Sequence, residues 1–94
     1  MSEFRVYANK GWQMVFPNGW EVSVMFGAGN KCEHEEEYML FDEQMCSPFK
    51  PHVSEDAEVG VFKPDGSACM DFPCSHNYVS PAQVAKIIAW VMAQ

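Results

Sequence analysis

Two runs of alternating residues, Trp12-Gln13-Met14-Val15-Phe16 and Trp20-Glu21-Val22-Ser23-Val24-Met25-Phe26, are separated only by Pro17-Asn18-Gly19. Asn-Gly between two such runs is the strongest local hairpin signal, because type I′ turn geometry asks for φ > 0 at both turn residues. Side chains two apart in a strand share a face, so Trp20, Val22, Val24 and Phe26 line one side while Glu21 and Ser23 point the other way. Trp12, Met14 and Phe16 form the matching face of the first strand. One half-buried hairpin of this kind commits the chain to an antiparallel sheet with one covered face.

The remaining signals fit around that hairpin. Phe4 to Tyr7 reads as a short preceding strand that ends at Asn9-Lys10-Gly11. Ala57-Glu58-Val59-Gly60-Val61-Phe62 alternates again and runs into Lys63-Pro64-Asp65-Gly66, with Ser67 to Phe72 as the returning arm of a second hairpin. Ser80-Pro81 reads as a helix N-cap followed by proline at the first helical position. Val84, Ile87, Ile88 and Val91 then repeat at i, i+3, i+4 and i+7 as one apolar stripe. Lys86 is the only charge on that helix, which predicts that most of its circumference is covered. The expected fold is α+β: an antiparallel sheet of four to five strands, arranged as two hairpins and packed by one C-terminal helix, in a single domain over residues 1–94. Between Lys31 and Asp56 the pattern is irregular. Tyr38-Met39-Leu40-Phe41 suits a strand or a helical turn equally, and Ser47-Pro48-Phe49-Lys50-Pro51 is a loop.

Charge narrows the function. The 94 residues carry 13 acidic against 6 basic side chains, a formal charge of −7. Nucleic-acid and anionic-membrane binding both draw affinity from Lys and Arg, so neither is expected as a direct partner. At 48% apolar residues, the chain is too hydrophobic for an acidic disordered tail. No apolar run reaches the ~20 residues of a membrane span, and Met1 to Arg5 lacks the features of a secretory signal. A cytoplasmic location is therefore expected, with Cys32, Cys46, Cys69 and Cys74 as reduced thiols.

Four constellations are candidate sites. Nine of the 13 acids fall within residues 33–58, while four are spread over the other 68. Such clustering steers association with a basic protein surface, and Glu33, Glu35, Glu36, Glu37, Asp42 and Glu43 are the expected partner-binding residues. Three tryptophans and seven phenylalanines exceed the needs of a small core, which predicts exposed aromatic anchors. Gly27, Gly29, Asn30 and Lys31 form a short glycine-rich loop that offers an alternative: backbone N–H groups and one cation around a small phosphate-bearing ligand. Cys32-x-His34 and Cys74-x-His76 form two matching pairs, and together they would supply a Cys₂His₂ zinc set as a further alternative. No cysteine sits in a local nucleophile signature, and the Glu33–Glu37 run reads as a solvated face. Neither an enzyme nor a cofactor is expected.

The segment Gly11-Trp12 … Phe16-Pro17-Asn18-Gly19-Trp20-Glu21-Val22-Ser23-Val24-Met25-Phe26-Gly27-Ala28-Gly29-Asn30-Lys31-Cys32 resembles a recurrent pattern in small uncharacterised proteins of bacteriophages and prophages. Ala57-Glu58-Val59-Gly60-Val61-Phe62 … Asp65-Gly66 and Val79-Ser80-Pro81-Ala82-Gln83-Val84 look like the second hairpin and terminal helix of the same family. Together these segments cover about half of the chain. The resemblance implies a phage accessory protein in the cytoplasm of a bacterial host, of an anti-defence or anti-CRISPR kind that blocks a nucleic-acid-binding protein surface. It carries over no catalytic or binding residue. The expected function is thus non-enzymatic inhibition of a basic host protein or nucleoprotein complex. An oligomeric sponge for a small nucleotide signal, or a small zinc-binding domain, is the alternative. A homodimer through the outer face of the helix is a further expectation.

Overall fold

The period-two runs fold as strands. The computed structural model describes residues 2–7, 10–26 and 53–94. In it β1 (Glu3–Tyr7), β2 (Gly11–Val15), β3 (Glu21–Met25) and β4 (Glu58–Phe62) form an antiparallel sheet in the order β1-β2-β3-β4. The register pairs Phe4 with Met14, Trp12 with Val24, Met14 with Val22, and Val24 with Val59. These apolar residues share one face, over which the helix α1 (Pro81–Met92) packs against β3. The expected α+β architecture of a sheet and one C-terminal helix is therefore observed.

Val22, Val24, Val59 and Val61 from the sheet meet Ile87 and Val91 from the helix, with Phe16, Phe72 and Val79 closing the ends of the core. Each fully buried aliphatic side chain stabilises the fold by ~1.5–3 kcal/mol relative to exposure. The opposite face is mixed, with Val15, Met25 and Phe62 set among Glu3, Arg5, Gln13, Glu21 and Glu58, and Ser23 there is buried. There Arg5 donates to Glu3 at 2.8 Å and to Glu21 at 3.0 Å, which raises its pKa further, chiefly through the Glu3 hydrogen bond.

The first hairpin forms, but with a different turn from the one Asn-Gly alone predicts. Gly19 N–H donates to Phe16 O at 2.9 Å, Phe16 N–H donates to Trp20 O at 2.8 Å, and Gly19 lies at φ +87°. Asn18 stays at negative φ, since Tyr78 is the only non-glycine with positive φ among the described residues. Pro17 explains the change. Its ring locks φ near −65°, which starts a type I turn and leaves Gly19 alone in the left-handed region. The second turn is built in the same way: Gly66 N–H donates to Lys63 O, Lys63 N–H donates to Ser67 O, both at 2.8 Å, and Gly66 lies at φ +87°. In each turn the side chain before glycine accepts the N–H two residues on, Asn18 from Trp20 at 3.0 Å and Asp65 from Ser67 at 2.8 Å. These Ser67 hydrogen bonds hold the Asp65 carboxyl below its usual pKa.

Two expectations need correction. The returning arm of the second hairpin shrinks to one bridge, Phe62 with Ala68, plus the bond from Cys69 N–H to Val61 O at 2.8 Å. Cys69 and Phe72 are both buried, and an odd spacing of three points such residues to opposite faces of a strand. Pairing therefore stops between them. The helix is also less covered than its low charge suggested, since Ala82, Ala85, Ala89 and Met92 are exposed and only Ile87 and Val91 are fully buried. Its start is as expected. Ser80 Oγ accepts from Gln83 N–H while Gln83 Oε1 accepts from Ser80 N–H, a capping box with Pro81 at the first turn.

Asn18 ties this helix back to the first hairpin. Its Nδ2 donates to Val91 O at 2.9 Å and to Gln94 O at 3.2 Å, which adds a side-chain donor at Val91 O beside Gln94 N–H and holds the residue after the C-cap Ala93. Next to it, Trp20 and Trp90 meet edge-to-face at 5.9 Å between ring centroids.

Candidate functional site

At the end of the sheet where β3 finishes and the chain enters β4, the core opens into a cavity of about 240 Å³. Its apolar wall comes from Trp12, Val24, Phe26, Val79, Pro81 and Val84, with Glu55 and Asp56 on the lining beside Ser54. The local sequence accounts for this shape. Trp12 and Val24 are register partners on the covered face, and Phe26 continues that face one step beyond the last paired residue of β3. Ala57 and Val79 exchange backbone hydrogen bonds at 3.0 and 2.8 Å. That bridge clamps the segment preceding β4 to the segment preceding α1. Because Ala57 is small, the floor stays low, while Pro81 and Val84 raise the helix-side wall. Ser54 Oγ donates to Asp56 O at 2.7 Å and holds the acidic rim in shape.

The wall is almost wholly apolar, which suits an apolar guest. The volume lies below the ~300–1,000 Å³ of small-molecule pockets, so it fits one large side chain better than a nucleotide. No Lys or Arg stands among the described lining residues, which include Glu55 and Asp56.

Of the residues singled out from sequence, Glu33, Glu35, Glu36, Glu37, Asp42 and Glu43 lie outside the described residues, as do Gly27, Gly29, Asn30, Lys31, Cys32 and His34. Cys74 and His76 are described. The Cys74 thiol is free and lies 4.0 Å from Gln83 O. The His76 ring packs edge-to-face on Phe72 at 4.7 Å, while its carbonyl accepts from Val59 N–H at 2.7 Å. Among the described residues no three His, Cys, Asp or Glu side chains come together as a metal-binding group. Cys69 is a free, buried core thiol. No helix among the described residues is long and apolar enough to cross a membrane.

The cavity itself was not singled out from sequence, although a signal for it exists. Phe26 extends the Trp20-Val22-Val24 alternation past the point where the chain leaves the sheet, and such an overhanging aromatic needs a second wall. The tryptophans are half-buried against the core rather than exposed anchors; among the described residues the large exposed aromatics are Phe4, Tyr7 and Tyr78. Comparison with known protein families, curated proteins and solved structures finds no match.

Proposed function

We propose that the chain is a small, non-enzymatic binding protein of the phage accessory type, which inhibits a bacterial host or defence protein by covering a basic, nucleic-acid-binding surface. One observation carries this reading: the acid-rich stretch of residues 33–58 ends at the rim of the apolar cavity, where Glu55 and Asp56 join its lining. Glu33, Glu35, Glu36, Glu37, Asp42 and Glu43 supply the steering charge, taking the place of phosphates on the partner. The cavity accepts an aliphatic or basic side chain of that partner as an anchor. Clustered charge accelerates encounter, and a small pocket adds the desolvated contact that binding energy concentrates in. The site of action is the bacterial cytoplasm. The clustering of acidic residues over 33–58, without a Lys or Arg among the described lining residues, supports a cationic partner over an anionic nucleotide held by Gly27, Gly29, Asn30 and Lys31.

The test is quantitative capture from bacterial lysate at low and moderate salt, followed by identification of the captured protein. The triple reversal of Glu35, Glu36 and Glu37 to Lys is expected to lower capture and to flatten its salt dependence. Undiminished capture with the same salt dependence would contradict the assignment.

A further inference from the structure

The other edge of the sheet carries its own information. All five residues of β1 are exposed, and Phe4 and Val6 retain 72% and 79% of their surface. The direction of its backbone groups follows from the hairpin. Phe16 N–H donates to Trp20 O, and Phe26 N–H donates to Lys10 O. The even-numbered residues of β2 therefore bond towards β3, and its odd-numbered residues bond towards β1. With Glu3 opposite Val15, Arg5 opposite Gln13 and Tyr7 opposite Gly11, the odd residues of β1 are taken up by β2. The N–H and C=O groups of Ser2, Phe4 and Val6 face outward from the sheet.

We propose that this edge pairs with the same edge of a second copy, antiparallel about a two-fold axis at Phe4. An isologous contact must be self-complementary, and the side-chain pattern of β1 is so in this register alone. With the axis at Phe4, Phe4 meets the second copy's Phe4 and Val6 meets its Ser2, each as a hydrogen-bonded pair that uses the outward groups. Glu3 then stands opposite Arg5 of the other copy, twice over, in the closer non-hydrogen-bonded positions where opposite charges attract best. Moving the axis to Arg5 sets the two guanidinium groups against each other, and moving it to Val6 removes both charge pairs. Arg5 uses two of its five donors on Glu3 and Glu21 and keeps others for the second copy. Phe4 and Val6 lie on the helix-covered face beside Met14 and Trp12, so pairing joins two apolar strips into one. Pairing makes the four described strands of each copy continuous with those of the other, with the two cavities at a distance from the seam. A seam of two short strands is at the small end of specific interfaces, so association is expected at micromolar protein. This contact is independent of the proposed partner site.

Sedimentation velocity on the full chain tests it with the variants Glu3→Arg, Arg5→Glu and Val6→Pro. Wild type is expected to self-associate, and each charge variant alone to do so roughly tenfold more weakly or worse, because like charges now face each other across the axis. Mixed one to one, the two charge variants are expected to form a heterodimer, since both cross-axis pairs become Arg against Glu again. Val6→Pro removes an outward N–H and leaves the β1–β2 bonds in place, so it is expected to stay monomeric with a cooperative melt. A wild-type chain that remains monomeric at its highest soluble concentration would overturn the proposal. So would charge variants that associate like wild type, or a mixture that fails to recover.

Discussion

Asn18 is a turn residue that also holds the far end of the helix, and replacing it separates those two roles. Asn18→Ala removes the acceptor for Trp20 N–H and the donor to Val91 O, both partly buried, together with a weaker bond to Gln94 O. At ~1 kcal/mol for each of the two better bonds, the expected loss is about 2 kcal/mol. For a domain of this size that lowers Tm by roughly 8–16 °C. Asp65→Ala makes the same change in the sister turn, but its bonds to Ser67 are exposed and water replaces them, so the expected cost is below ~1 kcal/mol. Asn18→Asp keeps the acceptor for Trp20 N–H and turns a carboxylate towards the carbonyl oxygens at the negative end of the helix dipole. It should cost at least as much as alanine at neutral pH. Those oxygens disfavour the charged form, so the new carboxyl's pKa is higher in the folded than in the unfolded chain. The folded state then binds more protons, and the variant loses stability relative to wild type as pH rises from the unfolded pKa through the folded one. Urea melts at about pH 4 and pH 7, taken as differences from wild type, read this directly; the gap should be smaller at the lower pH. The reasoning fails if Asn18→Ala costs no more than Asp65→Ala, or if Asn18→Asp matches wild type at neutral pH.

The two turns offer a second matched pair. Gly19 and Gly66 share φ +87°, but a Cβ on Gly19 would lie 3.1 Å from Pro64 Cβ, whereas one on Gly66 meets open space. Gly66→Ala is expected to cost ~1–2 kcal/mol from backbone strain alone, and Gly19→Ala more; equal losses in thermal melts would show that the two turns do not press on each other. Ser80→Ala breaks the capping box and is expected to cost ~1 kcal/mol, with amide exchange rising first at Gln83. Unchanged exchange there would argue that the box contributes nothing.

Legibility from sequence followed the range of the forces involved. The hairpin of Trp12 to Phe26 and the start of the helix at Ser80 depend on neighbours within a few residues, and both emerged from pattern alone. The turn conformation did not, because the Asn-Gly signal is silent on the constraint that Pro17 imposes one residue earlier. The short life of the second hairpin was legible in principle: Cys69 and Phe72 cannot both point inward from one strand. Asn18 reaching Val91 and Gln94 was not legible, since that contact depends on where the helix ends in space. Trp90 resting against Trp20 is of the same kind. The cavity was half-visible, as the sequence supplies its aromatic wall in Trp12 and Phe26 but not the bridge from Ala57 to Val79 that sets its floor. For the acidic stretch, sequence supplies the clustering of charge, and the described residues add the place where that stretch meets an apolar hollow.

That meeting point can be probed most directly by hydrogen exchange on the complex with the captured partner. Binding through the acidic stretch and the cavity predicts slowed exchange across residues 33–58 and at Val79 to Val84, with the exposed helix face from Ala85 to Met92 unchanged. Protection confined to that helix face or to β1, with none in residues 33–58, would contradict it.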